Sequence, residues 1–221
     1  MNKYYPLMFL VGLVLWSCKG REKAKPDSKI ITEDSIRIET KALPDTIIDS
    51  RYTFQEAVAG SKAPKTIIDL LELIEVSYLS TDGKIHRGQV LANKKISGDL
   101  RYMFAFMSEK GFVVEKAIPI VKYNWNDSLS MDDNNTSSFC YRNVSYSKHA
   151  QGMAIDINPR FNPVRWKRIN RPNQPSGAVL DTTVNGTFYP GHVVVEEFQK
   201  RGFRWGHTFS KYYDDHHFDK R

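Results

Sequence analysis

Residues 153–158 read Met-Ala-Ile-Asp-Ile-Asn, and this hexapeptide limits what the chain can fold into more than any other stretch. The alternation fits a strand, with Met153, Ile155 and Ile157 on one face and Ala154, Asp156 and Asn158 on the other. Asp156 then lies mid-strand between isoleucines, away from bulk water. An unpartnered buried carboxylate is costly, so the fold must bring it a cation, a cluster of donors or a metal. Gly152 permits a sharp turn just before the strand, which can bring His149 back over it. On this segment alone the plainer reading stands beside that one: a loop histidine and a hydrogen-bonded structural carboxylate.

The stretch YDDHHFDK, residues 213–220, shifts that balance by adding Asp214, Asp215, His216, His217 and Asp219. Two histidines and one carboxylate, with a water in the fourth position, form a catalytic zinc set. Such borderline-to-hard donors suit zinc better than copper or an iron–sulfur cluster. On a plain strand His216 and His217 point to opposite faces, so at most one faces the metal, and spacing does not say which. The bland alternative is a frayed, charged tail, but Trp205 and Phe218 bracket the segment. His86 and His192 read as bystanders, and His207 is near enough in sequence to be auxiliary.

The remaining pattern is α+β. ELIEVSYLSTDGKIHRGQVLAN predicts two strands around a Thr81-Asp82-Gly83 turn. ISGDLRYMFAFMSEKGF predicts a helix capped by Ser97, with Asp99 in its first turn and Gly111 past its end. Leu100, Met103, Phe104 and Met107 share one face of it and read as core. FVVEKAIPIVKY predicts a strand, NWNDSLSMDDNNTSSF a polar loop, and residues 160–187 a long loop that shapes a binding site. YPGHVVVEEFQKRGF predicts a second helix, with Pro190 near its start and Gly202 near its end; FRWGH and HHFD close the chain as short strands. The expected architecture is a single domain with a central antiparallel sheet, flanking helices and a zinc site at one end of the sheet.

The front of the chain reads differently. Pro6 to Trp16 is an apolar run too short to span a bilayer stably, and it fits the apolar part of a secretory signal. It ends in Leu15-Trp16-Ser17-Cys18, which resembles a bacterial lipobox. The expectation is a signal peptide over 1–17, lipidation at Cys18, a polar tether over 18–63 and a catalytic domain over 64–221. Acyl chains on Cys18 would anchor the protein to a membrane on its extracytoplasmic, periplasmic side. The tether mixes charges and prolines without a sustained period, with one short strand near 46–48. With Cys18 lipidated only Cys140 remains, so no intramolecular disulfide forms and a core, with a metal, must hold the fold. The formal net charge is +7, and removing the signal takes away only Lys3. No basic helix or aromatic-basic motif accompanies that charge, which argues against nucleic acid and for anionic cell-wall polymer or lipid headgroups.

Ser147-x-His149-x-x-Gly152-x-Ala154-x-Asp156, followed by Asp214-x-x-His217, resembles the zinc D-alanyl-D-alanine carboxypeptidases and L-alanyl-D-glutamate endopeptidases, the VanY-like peptidoglycan peptidases. The similarity runs through NNTSSFCYR, INPRFNP, GFRWG and DDHHFD, over about residues 73–219. The resemblance implies one Zn2+ ion held by His149, Asp156 and His217, which selects His217 over His216. It makes Asp214 the catalytic carboxylate and Arg142 the arginine that holds substrate or stabilises charge on the carbonyl oxygen. Ser147, His207 and Asp219 would orient ligands or meet substrate. Two departures stand out: Asp219 where the family commonly has glutamate, and His207 where it often has the second glycine of W-G-G.

The implied function is a membrane-tethered, monomeric zinc peptidase acting on peptidoglycan stem peptides, as a carboxypeptidase or an endopeptidase. The rival from another class is a non-catalytic, zinc-containing lipoprotein that binds cell wall. A structural zinc site closed by His216 or His207 as fourth ligand is the third reading.

Overall fold

In the computed structural model, which describes residues 46–221, a long hairpin forms the first half of the fold. Strands β1 (Ile47–Ile48), β2 (Leu71–Leu79) and β3 (Ile85–Asn93) make a sheet in the order β1-β3-β2. β2 and β3 pair antiparallel around the predicted turn, where Gly83 has φ +78° and its N–H donates to the Ser80 carbonyl at 3.0 Å. β1 adds in parallel to β3. Two short helices, α1 (Phe54–Val58) and α2 (Lys65–Ile68), lie between β1 and β2. Thr53 and Glu56 cap α1 reciprocally, as a capping box does.

β3 runs directly into α3 (Lys94–Glu109). The helix therefore starts earlier than the sequence predicts: Asn93, not Ser97, is its cap, accepting from the Lys95 N–H at 3.0 Å. The strand's last residue doubles as the cap, so no separate loop precedes the helix. The predicted face holds, with Leu100, Met103, Phe104 and Met107 all buried.

Beyond α3 the elements are short. They are β4 (Lys116–Ala117), α4 (Asp127–Asp132), β5 (Asn135–Thr136), β6 (Ala154–Asp156), β7 (Val164–Trp166), α5 (Val193–Lys200), β8 (Phe203–Trp205), β9 (Tyr212–Asp214) and β10 (His217–Lys220). Of the predicted strand over 112–123 only β4 forms, and Pro119 precedes a 3-10 turn over Ile120–Tyr123. The predicted polar loop holds α4, capped by the Asn126 side chain. α5 is capped by His192, whose ring accepts from the Val194 N–H.

The class is α+β as expected, but the sheet is not one central antiparallel sheet. Beside the first sheet stands an antiparallel one of order β6-β10-β8, with two-stranded pairs β4-β5 and β7-β9. β1-β3 and β4-β5 are parallel. The two larger sheets share one core, in which α3 meets Met153, Ile155 and Ile157 around β6, Phe198 of α5 and Phe218 of β10. Phe198 and Phe218 stack at 4.2 Å.

Part of the segment read as tether is built into this fold. Ala57 of α1 is fully buried in a second cluster with Leu71, Leu91 and Phe139, and Gln89 bonds the Tyr52 backbone in both directions. The Asp49 carboxylate bonds Tyr78 and His86. The predicted signal, Cys18 and the first part of the tether lie outside the described residues. Among the described residues no helix is long and apolar enough to cross a membrane.

Candidate metal centre

Antiparallel pairing places Asp156, the last residue of β6, directly opposite His217, the first of β10. Residues opposite on one face have close Cβ atoms, so register alone brings carboxylate and imidazole together at one end of that sheet. His149 arrives from a 3-10 turn over His149–Gln151. The Ser147 hydroxyl accepts from the Ala150 N–H at the start of that turn, and Gly152 ends it at φ +65°. A Cβ on Gly152 would lie 2.8 Å from the Asn93 nitrogen, so the turn packs flush on the start of α3. Asn93 fastens it there: its N–H donates to the Gly152 carbonyl at 2.9 Å and its side-chain amide to the Gln151 carbonyl at 3.0 Å.

Each imidazole is oriented from behind. His149 Nδ1 is 2.6 Å from the Ser138 carbonyl, and His217 Nε2 is 3.1 Å from Asp219 Oδ2. Both partners only accept, so those nitrogens donate, and in the neutral imidazoles the opposite ones are left to present lone pairs. His149 Nε2, His217 Nδ1 and Asp156 Oδ1 then face one another. The separations are 3.0 Å between the imidazoles, 3.0 Å from His217 to Asp156 and 3.2 Å from His149 to Asp156. Three acceptors this close need positive charge among them. Ligands of a tetrahedral ion at 2.0–2.1 Å lie about 3.3 Å apart, so the triangle fits zinc and leaves a fourth position free.

The electrostatics point the same way. Burial works to raise the Asp156 pKa, but His149 and His216 outweigh it and hold the carboxyl well below the usual range. Burial works to lower His217, yet the Asp156 and Asp219 carboxylates push it up to about 10. Burial also opposes the ionisation of Asp219, and His217 with Arg204 overcome it, bringing the group down to about 2.

The triad opens onto a cleft of about 600 Å³. Arg142, Ser147, Asp214 and Asp219 line it with the triad, and Tyr146, Trp166, Phe209 and Tyr212 supply aromatic surface. Asp214 is the last residue of β9, and its Oδ1 is buried without a hydrogen-bond partner among the described residues. His216 Nε2 stands 3.0 Å from that oxygen, outside hydrogen-bonding geometry. Arg142 donates to Asp127 Oδ2 at 2.9 Å. His207 does not line the cleft: it bonds the buried Asp215 at 2.6 Å and stacks on Trp205. Cys140 is buried, and burial pushes its thiol up to about 12, which leaves it an inert side chain.

Three contributors were missed in the sequence. For His216, weighed in the sequence only as an alternative ligand, it was the supporting role that was missed: its Nδ1 donates to the Asn162 carbonyl at 2.7 Å, and Asp214 and Asp156, outweighing burial, raise it to about 9. Ser138 acts through its backbone, for which a side-chain pattern carries no signal. Arg204 grips Asp219 as its directly opposite cross-strand neighbour, and the alternation in Phe203-Arg204-Trp205 could have pointed to it.

Comparison with known proteins agrees with this geometry. No curated protein and no solved structure matched the chain. Residues 142–220 match the family described as D-alanyl-D-alanine carboxypeptidase, and that span contains His149, Asp156 and His217. Over the segment that carries its candidate metal ligands, the chain has the pattern of the D-alanyl-D-alanine carboxypeptidase family.

Proposed function

We propose that the chain is a zinc peptidase that hydrolyses peptide stems of bacterial peptidoglycan, held to a membrane outside the cytoplasm through a lipidated Cys18. The observation that carries the chemistry is the convergence of three oriented lone pairs from His149, Asp156 and His217 at the floor of a cleft. Those residues would hold one zinc ion, whose chemistry when bound is a water acidified toward neutrality and a polarised carbonyl. Asp214 takes the proton of the attacking water and returns it to the departing amine as the C–N bond breaks. Its Oδ1 accepts no hydrogen bond among the described residues, although His216 lies 3.0 Å away, and so keeps acceptor capacity for that proton. A guanidinium has five N–H donors, so Arg142, bonded to Asp127 through Nη2, keeps others for the carbonyl oxygen or an acidic stem residue. Ser147 and Asp219 position His149 and His217. The lipid anchor and extracytoplasmic location rest on the Leu15–Cys18 pattern.

Asp214→Ala tests the reading. Muropeptides from purified peptidoglycan, analysed by mass spectrometry, should lose a terminal D-alanine or show a cut stem with the wild type. The variant should bind zinc normally and lose 10²-fold or more of the turnover, as expected for removal of a proton-transfer group (about 10²–10⁴). Unchanged wall binding, with no hydrolysis by the zinc-loaded wild type, would instead support a binding lipoprotein.

A further inference from the structure

Arg142 separates the metal cleft from a second groove of about 590 Å³, and its side chain lines both. Trp125 and Tyr141 supply aromatic surface there, Asn124 and Asn143 supply amides, and Lys62 adds a second cation. The two spaces share a run of chain: Tyr141 to Asn143 borders the groove, while Val144, Tyr146 and Ser147 border the cleft. Lys62 comes from the segment that packs on the first sheet, and Asn124 and Trp125 follow the 3-10 turn. All three lie outside the span matched to the family.

Trp125 is held in an unusual way. Its φ is +63°, directly after Asn124 at +52°. Asn124 ends a 3-10 turn and tolerates this conformation. A bulky tryptophan does not, and such a residue persists only when its surroundings fix it. They do: its indole N–H donates to the Ala59 carbonyl at 2.8 Å, and its ring stands edge-on to Phe139 at 5.9 Å.

We propose that this groove is a glycan subsite, holding the sugar to which a stem peptide is joined; the inference rests on the stem-peptidase reading above. A pyranose offers an apolar C–H face to an aromatic ring and a polar edge to amides. Trp125 and Tyr141 suit the face, and Asn124 and Asn143 suit the hydroxyl and N-acetyl groups. Lys62 and Arg142 match the acidic character of wall polymer. The consequence concerns the bond cut. A stem rooted in the groove enters the cleft at its sugar end. Two extended residues reach at most roughly 7 Å, and four reach roughly 14 Å. Because the groove and the cleft share Arg142 in their linings, the bonds nearest the sugar enter the cleft ahead of the terminal D-alanine. The chain is therefore assigned as an endopeptidase of sugar-linked stems.

The test uses the zinc-loaded full chain and its Lys62→Ala/Asn143→Ala variant, both substitutions being at exposed positions. Calorimetry measures binding of the peptide-free disaccharide N-acetylglucosaminyl-N-acetylmuramic acid. Hydrolysis is followed on free stem peptide and on the same stem joined to the disaccharide. The disaccharide should bind, and the variant should weaken it about tenfold or more, as for two lost hydrogen bonds. KM should be lower for the sugar-linked stem, with the gap closing in the variant and the cut falling within the stem. No disaccharide binding together with equal KM values overturns the proposal, as does removal of terminal D-alanine alone. Disaccharide binding that the variant weakens, with no cleavage of either substrate, sustains the subsite and sinks the peptidase reading instead.

Discussion

Asp219 holds His217 from behind and is itself held by Arg204. Asp219→Asn should weaken zinc binding about 10–100-fold, the usual cost of losing such an orienting carboxylate, in a competition titration with a chelator. The pH dependence of that affinity follows from His217. Metal displaces protons from its ligands, and the metal-free imidazole keeps its proton up to about pH 10. Its contribution to the metal-free fold is complete below the unfolded value, about 6.5, and is lost as pH rises through the folded one. Zinc affinity should therefore keep climbing with pH above neutrality; a plateau just above pH 6.5 would contradict this. At this scale much was legible. An aspartate between isoleucines announces its need for a cation, while its partners His149 and His217 came from the family resemblance, because spacing left His216 and His217 undecided. The role of His216 was not legible, because strand alternation says nothing of a residue in the turn ahead of the strand.

Among the elements, the turn that carries His149 depends on a residue with no side chain. Gly152→Ala would force a Cβ to 2.8 Å from the Asn93 nitrogen at φ +65°. The backbone conformation alone costs about 1–2 kcal/mol, and the contact adds to it. Urea unfolding should show the loss, and zinc binding should weaken with it because His149 is displaced. Hairpin, α3 and α5 were legible since each is long enough to show its period or its turn residues. β4, β5, β7 and β9, of two or three residues each, are too short to carry a period, so the division of the sheet could not be read. The start of α3 was misplaced because Ser97 is a good capping residue, while Asn93 already sat at the end of a strand.

For the whole molecule, the boundary of the folded part matters most. A chain starting at residue 64 lacks β1 and α1 and uncovers Leu71, Leu91 and Phe139. Burying one such side chain is worth about 1.5–3 kcal/mol. A loss of about 3 kcal/mol should lower Tm by roughly 6–12 °C for a chain of this size, relative to one starting at residue 46. Scanning calorimetry of the two chains makes the comparison. Mixed charge and proline made residues 46–63 read as solvated linker, and only tertiary contact with the hairpin gives their few apolar side chains a place.

β1 has a mechanical consequence. A pull arriving from the N-terminal side meets that strand first, and it is only two residues long. It should peel from β3 before load reaches β6 or β10, and the Lys62 wall of the groove follows once the buried Ala57 and the Ala59–Trp125 bond give way. A chain stretched between an anchor and the polymer it grips would then release its hold on the sugar while its zinc ligands, all downstream of residue 148, stayed in place.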